Sequence, residues 1–376
     1  MSLPSAELQY WVAFSRIHRV GAVRAAVLES YFGSMADAWR AGPSELRAAG
    51  LDRGTVESII KERPAISPEG EIEALQKAGV KAYCWRDDEY PTRLKEVDDH
   101  PPVLYVRGDL SLEDEWAVAV VGTRRATPYG RQAAEHFSTD LARQRITVVS
   151  GLARGIDAIA HRAALNAEGR TIAVLACGLD LVYPPEHARL AAEITQHGAL
   201  VSDYPLGTQP RSEYFPRRNR ILSAMSLGVL VIEGDVDSGA LITARNAIDQ
   251  NREVFAVPGS IYAPTYRGAN KLIQEGEAKL VTRTEDILEE LNLTMTAQQM
   301  ELREVTTSDP TEAALLKVLS NQPIHIDEVQ RASGLPIAAV SGALALLELK
   351  GLVRQVGAMS FVRAREVTSV AYKTTG

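Results

Sequence analysis

The stretch VVSGLARGIDAIAHRAAL, Val148–Leu165, passes from an apolar strand pattern through two glycines into a helix pattern. The buried stripe of that helix can be formed by Ala160, Ala163, Ala164 and Leu165. A strand that ends at glycine and restarts as a helix leaves free backbone N–H groups, which attract anions. The residues predicted to line an anion site at this turn are Ser150, Gly151, Arg154 and Gly155.

Two polar residues at the start of the same helix pattern allow two interpretations. Asp157 and His161 lie four residues apart and therefore share one helix face. In the structural interpretation, Asp157 caps the helix and His161 is hydrogen-bonded by its neighbours. In the functional interpretation, the two side chains form a proton-transfer pair. The usual role of aspartate at helix starts favours the structural interpretation.

Outward from this stretch, strand and helix patterns alternate between about residue 70 and residue 295. The predicted strands are Val80–Trp85, Val103–Arg107, Trp116–Val121, Ile146–Val149, Thr171–Leu175, Leu200–Ser202, Gly228–Glu233 and Glu253–Val257. The middle ones are continuous apolar runs, as expected for strands buried on both faces of a parallel sheet. The predicted fold class is α/β, an extended Rossmann-like, doubly wound and mainly parallel sheet.

Glycine- or serine-bearing turns follow several of these strands. Because the carboxyl ends of parallel strands share one sheet edge, the turns are predicted to form a single anion-binding rim. One such turn is weak evidence, since glycine ends many elements for steric reasons alone, but five are harder to explain in that way. Besides Ser150–Gly155 and the Cys177-Gly178 turn, the predicted rim contains Gly122, Thr123, Arg124, Ser238, Gly239, Thr243, Pro258 and Gly259.

The densest basic cluster is the segment Pro210–Arg220, PRSEYFPRRNR, which holds four arginines and two aromatic residues. Arginine for phosphates, tyrosine or phenylalanine for stacking and asparagine for base edges suit single-stranded nucleic acid. The alternative is a solvated loop whose arginines pair with Asp203 or Glu233. In the first interpretation, the nucleic acid is contacted by Arg217, Arg218, Asn219 and Arg220.

Composition shifts predict further domains on both sides of the sheet. Residues 1–66 have helical periodicity with glycine turns, typical of a SAM-like or helix-hairpin-helix module that contacts either DNA backbone or another protein. Residues 67–292 form the Rossmann-like domain and 293–310 a polar linker. Residues 311–366 have the winged-helix order of three helices, Thr311–Ser320, Ile326–Ser333 and Ile337–Lys350, followed by a hairpin. A tail, 367–376, follows.

Bulk properties narrow the function. The 376 residues carry a net charge of −7, which argues against a uniformly basic protein but permits a local basic groove. Two distant cysteines, Cys84 and Cys177, give neither a disulfide framework nor a zinc site, and no apolar signal or spanning segment is found; we expect a cytoplasmic protein. Walker, GxGxxG and GxSxG motifs and metal-ligand spacings are missing, so we expect no cofactor and a binding surface rather than an enzyme.

An ordered set of motifs across roughly 200 residues resembles the DNA-processing protein A family, DprA or Smf. The motifs are Tyr90-Pro91, PVLYVRG from Pro102, Gly122-Thr123-Arg124, SGLARGIDAIAH, CGLDLVYP, FPRRNRI, SGALITA from Ser238, AVPG and GANKLI from Gly268. The flanking helical and winged-helix modules are also similar to those of the family.

The resemblance implies a non-enzymatic protein that binds single-stranded DNA, loads the RecA recombinase during natural transformation and dimerises through its Rossmann-like domain. It implies that Arg124 contacts phosphate, that Gly151, Arg154 and Gly155 line the second turn, that Asn219 and Arg220 reach phosphate or base edges, and that Ser238, Gly239 and Thr243 complete the pocket. Two departures stand out: Thr123 where the family often has serine, and Pro185 where many members have a lysine. Arg189 or Arg217 could replace that charge.

Two rival classes remain. Lysine-decarboxylase-like enzymes that cleave nucleoside monophosphates share the fold, but the segment Asp237–Ala244 lacks their PGGxGTxxE signature; only Glu233 keeps catalysis open. A transcription regulator would rest on the winged helix alone, whose recognition-helix candidate, Ile337–Lys350, is poor in base-reading side chains. For a DNA-binding rim, affinity should fall steeply with salt, and Arg124→Ala or Arg220→Ala should reduce that dependence.

Overall fold

The computed structural model describes residues 5–293, 310–319, 324–349, 353–356 and 359–363. The chain divides into two compact units after Leu291. The first unit contains both the N-terminal helices and the sheet, so the boundary at residue 66 stays a prediction. The predicted linker and tail lie almost wholly outside the described residues, as do Ser320 and Lys350.

Short capped helices form the N-terminal segment, as predicted. They are α1 (Ser5–Ser15), α2 (Ala22–Phe32), α3 (Met35–Arg40), α4 (Pro43–Ala48), α5 (Arg53–Glu62) and α6 (Pro68–Ala78). Ser34, Asp52 and Ser67 start α3, α5 and α6 by accepting N–H groups of the first helical turn. Trp11 and Phe14 of α1 lie in an apolar core that is continuous with one face of the sheet.

The sheet of the first unit has nine strands: β1 (Lys81–Cys84), β2 (Val103–Gly108), β3 (Ala117–Gly122), β4 (Thr147–Ser150), β5 (Thr171–Val174), β6 (Gly198–Ser202), β7 (Gly228–Glu233), β8 (Glu253–Ala256) and β9 (Lys279–Leu280). Their order is β1-β2-β6-β5-β4-β3-β7-β8-β9. The seven strands from β6 to β9 pair in parallel, and β2 and β1 extend the sheet antiparallel. The predicted fold class is confirmed; β9 has only two residues and too little periodicity to be found from the sequence.

Eight further helices belong to this unit: α7 (Thr92–Lys95), α8 (Pro128–Arg143), α9 (Ile156–Asn166), α10 (Ala188–His197), α11 (Tyr214–Ala224), α12 (Gly239–Asp249), α13 (Arg267–Gln274) and α14 (Thr284–Glu290). Helices α8, α9 and α10 pack together on one face, and α11, α12 and α13 cover the other. The helix that follows β3, α8, therefore lies on one face of the sheet, and the helix that follows the neighbouring strand β7, α12, lies on the other. This divergence opens a crevice at their carboxyl ends, where ligands bind in open α/β sheets.

The second unit is a winged helix. It contains α15 (Pro310–Val318), α16 (Ile326–Ser333), α17 (Ile337–Leu349), β10 (Ile324–His325), β11 (Val353–Gln355) and β12 (Ser360–Arg363). Leu315, Val329, Val340, Leu344 and Phe361 form its core. The three helices and the two-stranded wing were predicted, whereas β10, which pairs with β12, was not. Across both units, no helix within the described residues has the length and apolar character needed to span a bilayer.

Candidate functional site

The crevice between β3 and β7 holds a cavity of about 790 Å³. Its walls come from the turns after β3, β4 and β7, the start of α12 and the first turns of α11. Of the predicted residues, it brings together Gly122, Thr123, Arg124, Arg218, Asn219, Ser238, Gly239 and Thr243. Arg125, Tyr183, Arg211 and Phe215 also line it and are missing from the predicted set.

The turn after β3 is held rigidly and presents Arg124. The Thr123 amide donates to the Glu233 carbonyl at 2.7 Å, and the Thr123 carbonyl accepts from the Ile156 amide at 3.2 Å. Arg124 is exposed, and its guanidinium carbon lies 5.4 Å from the centre of the Phe215 ring. A cation over an aromatic face keeps its charge while facing solvent. Arg124 is thus positioned to meet an anion in the cavity.

The turn after β4 satisfies its free amides internally. The Asp157 carboxylate accepts from the Gly151 amide at 3.2 Å and from the Ala153 amide at 3.3 Å. Burial raises the pKa of Asp157, while the nearby Arg218 and these two amides lower it. Gly155, not Asp157, occupies the cap position of α9. The carboxylate therefore has a structural role that differs from the predicted cap, and it takes two of the donors predicted for an external anion.

Three further predictions at this turn have different outcomes. Gly155 adopts φ +77°, and a Cβ there would lie 2.3 Å from the Thr123 carbonyl oxygen, so only glycine fits. The buried Ser150 hydroxyl donates to the Val120 carbonyl at 2.6 Å and does not line the cavity. Arg154 also lies outside the lining, because its guanidinium pairs with Glu186 at 2.5 Å.

Two residues of α11 hold neighbouring turns in place. Arg218 is only 3% exposed and donates from Nη1 to the Gly151 carbonyl at 2.9 Å. Burial lowers its pKa to about 10, against the opposing effect of Asp157. Asn219 donates from Nδ2 to the Gly239 carbonyl at 3.2 Å. Arg218 thus lines the cavity and also positions the turn after β4 through the Gly151 carbonyl, and its contact with DNA stays a prediction.

Of the four arginines of the cluster, Arg217 and Arg220 do not line the cavity. Arg220 donates from Nη2 to Asp203 at 2.8 Å, contacts the Asp99 carbonyl from Nη1, and is not in the cavity lining. The alternative of an arginine paired with Asp203 therefore describes Arg220. Arg217 is exposed on α11 outside the cavity lining, and within the described part of the chain it forms no ion pair. Arg189 lies on α10 outside the cavity lining, and its exposed guanidinium pairs with Glu193.

We expect Arg220→Ala to affect stability more than DNA binding, which corrects the sequence-based expectation. The change leaves the partly buried Asp203 without its guanidinium partner, at a cost of about 1–2 kcal/mol after allowance for partial exposure. Because Arg220 is engaged outside the cavity, the salt dependence of strand binding should stay within error of the wild type. Urea unfolding and salt titrations on the same preparation check both parts; a reduced salt dependence without loss of stability would contradict this placement.

The turn after β7 supplies a helix start to the cavity. The Ser238 hydroxyl accepts from the Ala240 amide at 3.3 Å and caps α12, while Gly239 is exposed beside it. Thr243 is buried, and its hydroxyl is 3.5 Å from the Gly239 carbonyl. The α12 start therefore faces the cavity with the positive end of its dipole.

The turn after β8 does not reach the cavity. The Asn270 side chain bonds both the amide and the carbonyl of Gly259, and the Pro258 carbonyl accepts from the Tyr129 hydroxyl at 3.2 Å. Neither Pro258 nor Gly259 is in the lining. The predicted rim of five turns is thus narrower than the sequence indicated, since the turn after β8 is anchored outside the cavity by polar side chains of the protein itself.

Aromatic residues from separate loops form two rows next to the cavity. In the first row, Arg124 lies over Phe215, whose ring centre is 5.6 Å from that of Tyr183. In the second, Arg211 lies 5.9 Å from the Tyr214 ring, which stacks on Tyr204 at 4.5 Å between centres. Each row has a guanidinium and two rings. The basic cluster contains Tyr214 and Phe215, and Tyr183 lies in the motif CGLDLVYP, whereas no local pattern marked Tyr204.

Glu233, the carboxylate that kept catalysis open, is fully buried at the end of β7. Its Oε2 accepts from the Thr127 amide at 3.0 Å and from the Thr127 hydroxyl at 3.1 Å. It does not line the cavity, and within the described residues no arginine pairs with it. Glu233 therefore fastens the end of β7 to the start of α8, which is a structural role.

His161 is also structural. It is fully buried, and its Nδ1 lies 2.7 Å from the Thr171 hydroxyl, which donates to the Val148 carbonyl. Burial lowers the pKa of His161 to about 3, and the charges of Arg218 and His187 add to the effect. With Asp157 bonded to backbone amides and His161 bonded to Thr171, the structure does not support a proton-transfer pair.

His161 should make the protein less stable as the pH falls. Its folded pKa lies below the unfolded value of about 6.5, so the unfolded state binds the extra proton. Between about pH 7 and about pH 5 the loss is about 2 kcal/mol. Urea unfolding of the wild type and His161→Gln at both pH values measures it. The exposed His136→Gln is the control and should keep the wild-type pH dependence; equal dependence in all three proteins would exclude His161 as its source.

The fold and this cavity define a Rossmann-like protein with an arginine- and aromatic-lined crevice and an appended winged helix. Residues 81–292 match the family model described as DNA recombination-mediator protein A, and residues 285–359 match the DprA winged helix domain. The chain belongs to the DprA/Smf family of DNA recombination mediators.

Similarity to individual members extends over most of the chain. Protein Smf of Synechocystis is 33% identical over 398 residues, covering 96% of this chain and 100% of the relative. Protein Smf of Escherichia coli is 41% identical, covering 75% and 76%. The crystal structure of DprA from Streptococcus pneumoniae superposes with a TM-score of 0.65 at 34% identity, covering 77% of this chain and 99% of that one. A Helicobacter pylori DprA structure, described in terms of its single-stranded DNA binding mode, gives 0.51 at 31% identity, covering 56% and 95%.

Proposed function

We propose that this protein binds single-stranded DNA in the crevice between β3 and β7 and passes it to the RecA recombinase, without chemical turnover of the DNA. The observation that carries the proposal is the first aromatic row, in which exposed Arg124 adjoins Phe215 and Tyr183 at the cavity. A phosphate donor beside two rings provides the two contacts that a flexible strand needs, charge for its backbone and a face for its bases.

The charges around the cavity support a phosphate backbone as the ligand. Arg124, Arg125 and Arg211 are exposed and line the cavity, and the start of α12 adds a positive dipole end. Asp235 and Asp237 lie on one side of the lining, and Asp235 is neutralised by Arg267 at 2.9 Å. Although the whole chain carries a net charge of −7, the local balance favours an anion.

The rings account for a preference for single strands. Bases can stack on aromatic faces only when they are free of a paired strand, and stacking tolerates any sequence because every base has a π-face. The name of the H. pylori structure describes single-stranded DNA binding by a protein 31% identical to this one. The DNA-contacting set that we propose for this chain is Gly122, Thr123, Arg124, Gly239 and Thr243, which line the cavity, with Arg217 outside it.

The side chains at the cavity support binding rather than catalysis. Asp157 is bonded to backbone amides and Glu233 to Thr127, and both are held as structural acceptors. Ser238 caps α12 with its hydroxyl and has no adjacent base in its hydrogen bonds. Hydrolysis of a nucleoside monophosphate needs a free acid or base at the reacting atom, and these contacts withdraw Asp157 and Glu233 from that role.

Titration of a labelled, unstructured single strand and of its duplex at two salt concentrations tests the proposal. We expect a clear preference for the single strand, and affinity that falls steeply as salt rises because phosphate contacts release counterions. Equal affinity for the single strand and the duplex would show that base stacking on the aromatic rings does not contribute to binding. Binding and cleavage of nucleoside monophosphates without strand binding would favour the enzyme class instead.

The recombinase step and the dimer rest on family resemblance. The proposed setting is natural transformation in the cytoplasm, with the protein acting as a dimer through its Rossmann-like unit. Exposed Leu280 on the edge strand β9 offers a place for an apolar contact between copies. Light scattering of the full chain measures the oligomeric state. The rate of RecA filament formation on strands coated with a single-strand-binding protein measures loading, and no acceleration would exclude that step.

A further inference from the structure

A long groove lies along α2 of the N-terminal helical segment. It consists of two adjoining hollows of about 680 and 770 Å³, which share Ala22, Val23, Val27 and Asp98 in their walls. One end reaches Tyr31 and the other reaches Asp52. None of the DNA-contacting residues proposed above lines it. We call it the α2 groove.

The floor of the α2 groove is an apolar stripe turned toward solvent. Val23, Val27 and Tyr31 follow one another at intervals of four residues and so lie along one line of α2. Val23 is 72% exposed and Tyr31 54%, although both are apolar or amphipathic side chains on an ordered helix. The opposite side of α2 is buried through Ala25 and Leu28. Only one apolar face of α2 is needed for the core of its own domain, so the second, exposed face is available to bind a partner.

The dimensions of the groove suit a helix. The 11 residues of α2 extend over about 16 Å, which is about three helical turns. Ala22 and Ala26 lie beside the stripe, and Ala49 lines the groove at Trp85 and His100. Small residues let a second helix approach closely, and larger residues at either end hold it in register.

Charge decides what kind of helix fits. Asp52, Asp98 and Asp99 stand along the groove. Arg24 pairs with Asp52 at 2.9 Å, and Arg220 is shared between Asp203 at 2.8 Å and Asp99 at 3.7 Å. Asp98 is exposed, and within the described part of the chain it forms no ion pair. The wall thus presents one uncompensated carboxylate beside apolar side chains, which attracts a cation and repels phosphate groups of nucleic acid or anionic lipid.

We propose that the α2 groove binds an amphipathic helix of a partner protein, with its apolar side on Val23, Val27 and Tyr31 and a lysine or arginine against Asp98. This is the helix-in-groove mode of recognition, in which apolar anchors give affinity and a charge sets orientation. The function goes beyond DNA binding and does not depend on it. Of the two interpretations of residues 1–66, contact with DNA backbone or contact with another protein, the proposal favours contact with another protein.

A selection experiment tests the proposal with the full-length protein. The probe is a displayed library of helical peptides of about 14 residues, varied at every exposed position. Selection is carried out on the wild type with excess Val23→Glu protein in solution as competitor, because that change places a carboxylate on the exposed stripe. We expect enriched peptides with apolar residues three or four apart and a flanking lysine or arginine. Absence of any enrichment, or enrichment of acidic peptides, overturns the proposal.

A synthetic enriched peptide then locates the contact. Asp98→Lys should weaken its binding by about tenfold, and a twin peptide with glutamate at each basic position should prefer the Asp98→Lys protein. Leu112→Glu is the matched control, since Leu112 is 89% exposed but lies outside the groove, and it should bind like the wild type. Thermal unfolding of each variant checks the fold. Binding that is unchanged by Val23→Glu and by Asp98→Lys overturns the assignment.

Discussion

We expect Arg218→Met to lower the free energy of unfolding by about 3–5 kcal/mol and to weaken strand binding at the same time. Arg218 is buried, bonds the Gly151 carbonyl and lies near the buried Asp157 carboxylate. Methionine fills a similar volume but removes the charge, which leaves that carboxylate in a low-dielectric site without its nearby cation. The turn from Gly151 to Gly155 loses its anchor to α11. Urea unfolding measures the first effect and strand titration the second.

Two variants separate the role of the buried charge from that of arginine in general. Arg217→Met changes the neighbouring exposed arginine and should shift stability by no more than about 0.5 kcal/mol. Adding Asp157→Asn to Arg218→Met should recover part of the lost stability, because the amide is neutral and keeps one acceptor for the loop amides. If Arg218→Met unfolds like Arg217→Met, the guanidinium does not hold this turn.

Phe215→Ala should weaken binding to a single strand by about fivefold to 150-fold, corresponding to about 1–3 kcal/mol for the loss of one stacked base. The effect includes Arg124, whose guanidinium loses the ring beneath it. Duplex binding should change less, because paired bases do not reach the ring. Fluorescence anisotropy with a labelled strand and its duplex gives both affinities.

Two control variants test whether the effect of Phe215→Ala comes from the loss of a ring at this position. Phe215→Tyr keeps a ring and should bind close to the wild type. Tyr31→Ala removes an exposed ring on α2, outside the cavity, and should leave strand affinity unchanged. Phe215 is partly buried, so thermal unfolding must show that the alanine variant is folded at the assay temperature. Wild-type affinity in a folded Phe215→Ala protein would show that the first aromatic row does not contact the DNA.

The fold could be predicted from the sequence because its decisive signals are local. Runs such as Ala117–Gly122 and Gly228–Glu233 are apolar throughout, which is typical of strands buried on both faces. The parallel order then places the turns after them on one edge without further information. The strands β9 and β10 were missed because two residues carry no periodicity.

The site could be predicted only in part, because side-chain partners are set by tertiary contacts. The segment Arg217–Arg220 is basic in sequence, but successive residues of α11 point in different directions, at about 100° each. One arginine therefore faces solvent, Arg218 turns to Gly151 and Arg220 turns to Asp203. Asp203 was one of the alternative partners expected from the sequence, but neither the arginine that reaches it nor the contact with Gly151 could be predicted.

The aromatic rows illustrate the same limit. Tyr183 follows β5 and Tyr204 follows β6, while Tyr214 and Phe215 begin α11. These rings are brought together by the sheet and by the packing of α11, not by any spacing along the chain. Similarly, the turn Ser150–Gly155 was predicted to have free amide donors, but two of its amides donate to the carboxylate of Asp157, which belongs to the helix that follows.

The central claim, that DNA phosphate meets Arg124 in the crevice, is tested most directly by the salt dependence of strand affinity for Arg124→Ala. The control is Arg189→Ala, an exposed arginine on α10 that is outside the cavity. We predict that the slope of log affinity against log salt becomes shallower by about 0.7 for Arg124→Ala, the value for one phosphate contact with a single strand, and stays at the wild-type value for Arg189→Ala. A wild-type slope and affinity in folded Arg124→Ala would contradict the account and place the DNA elsewhere on the protein.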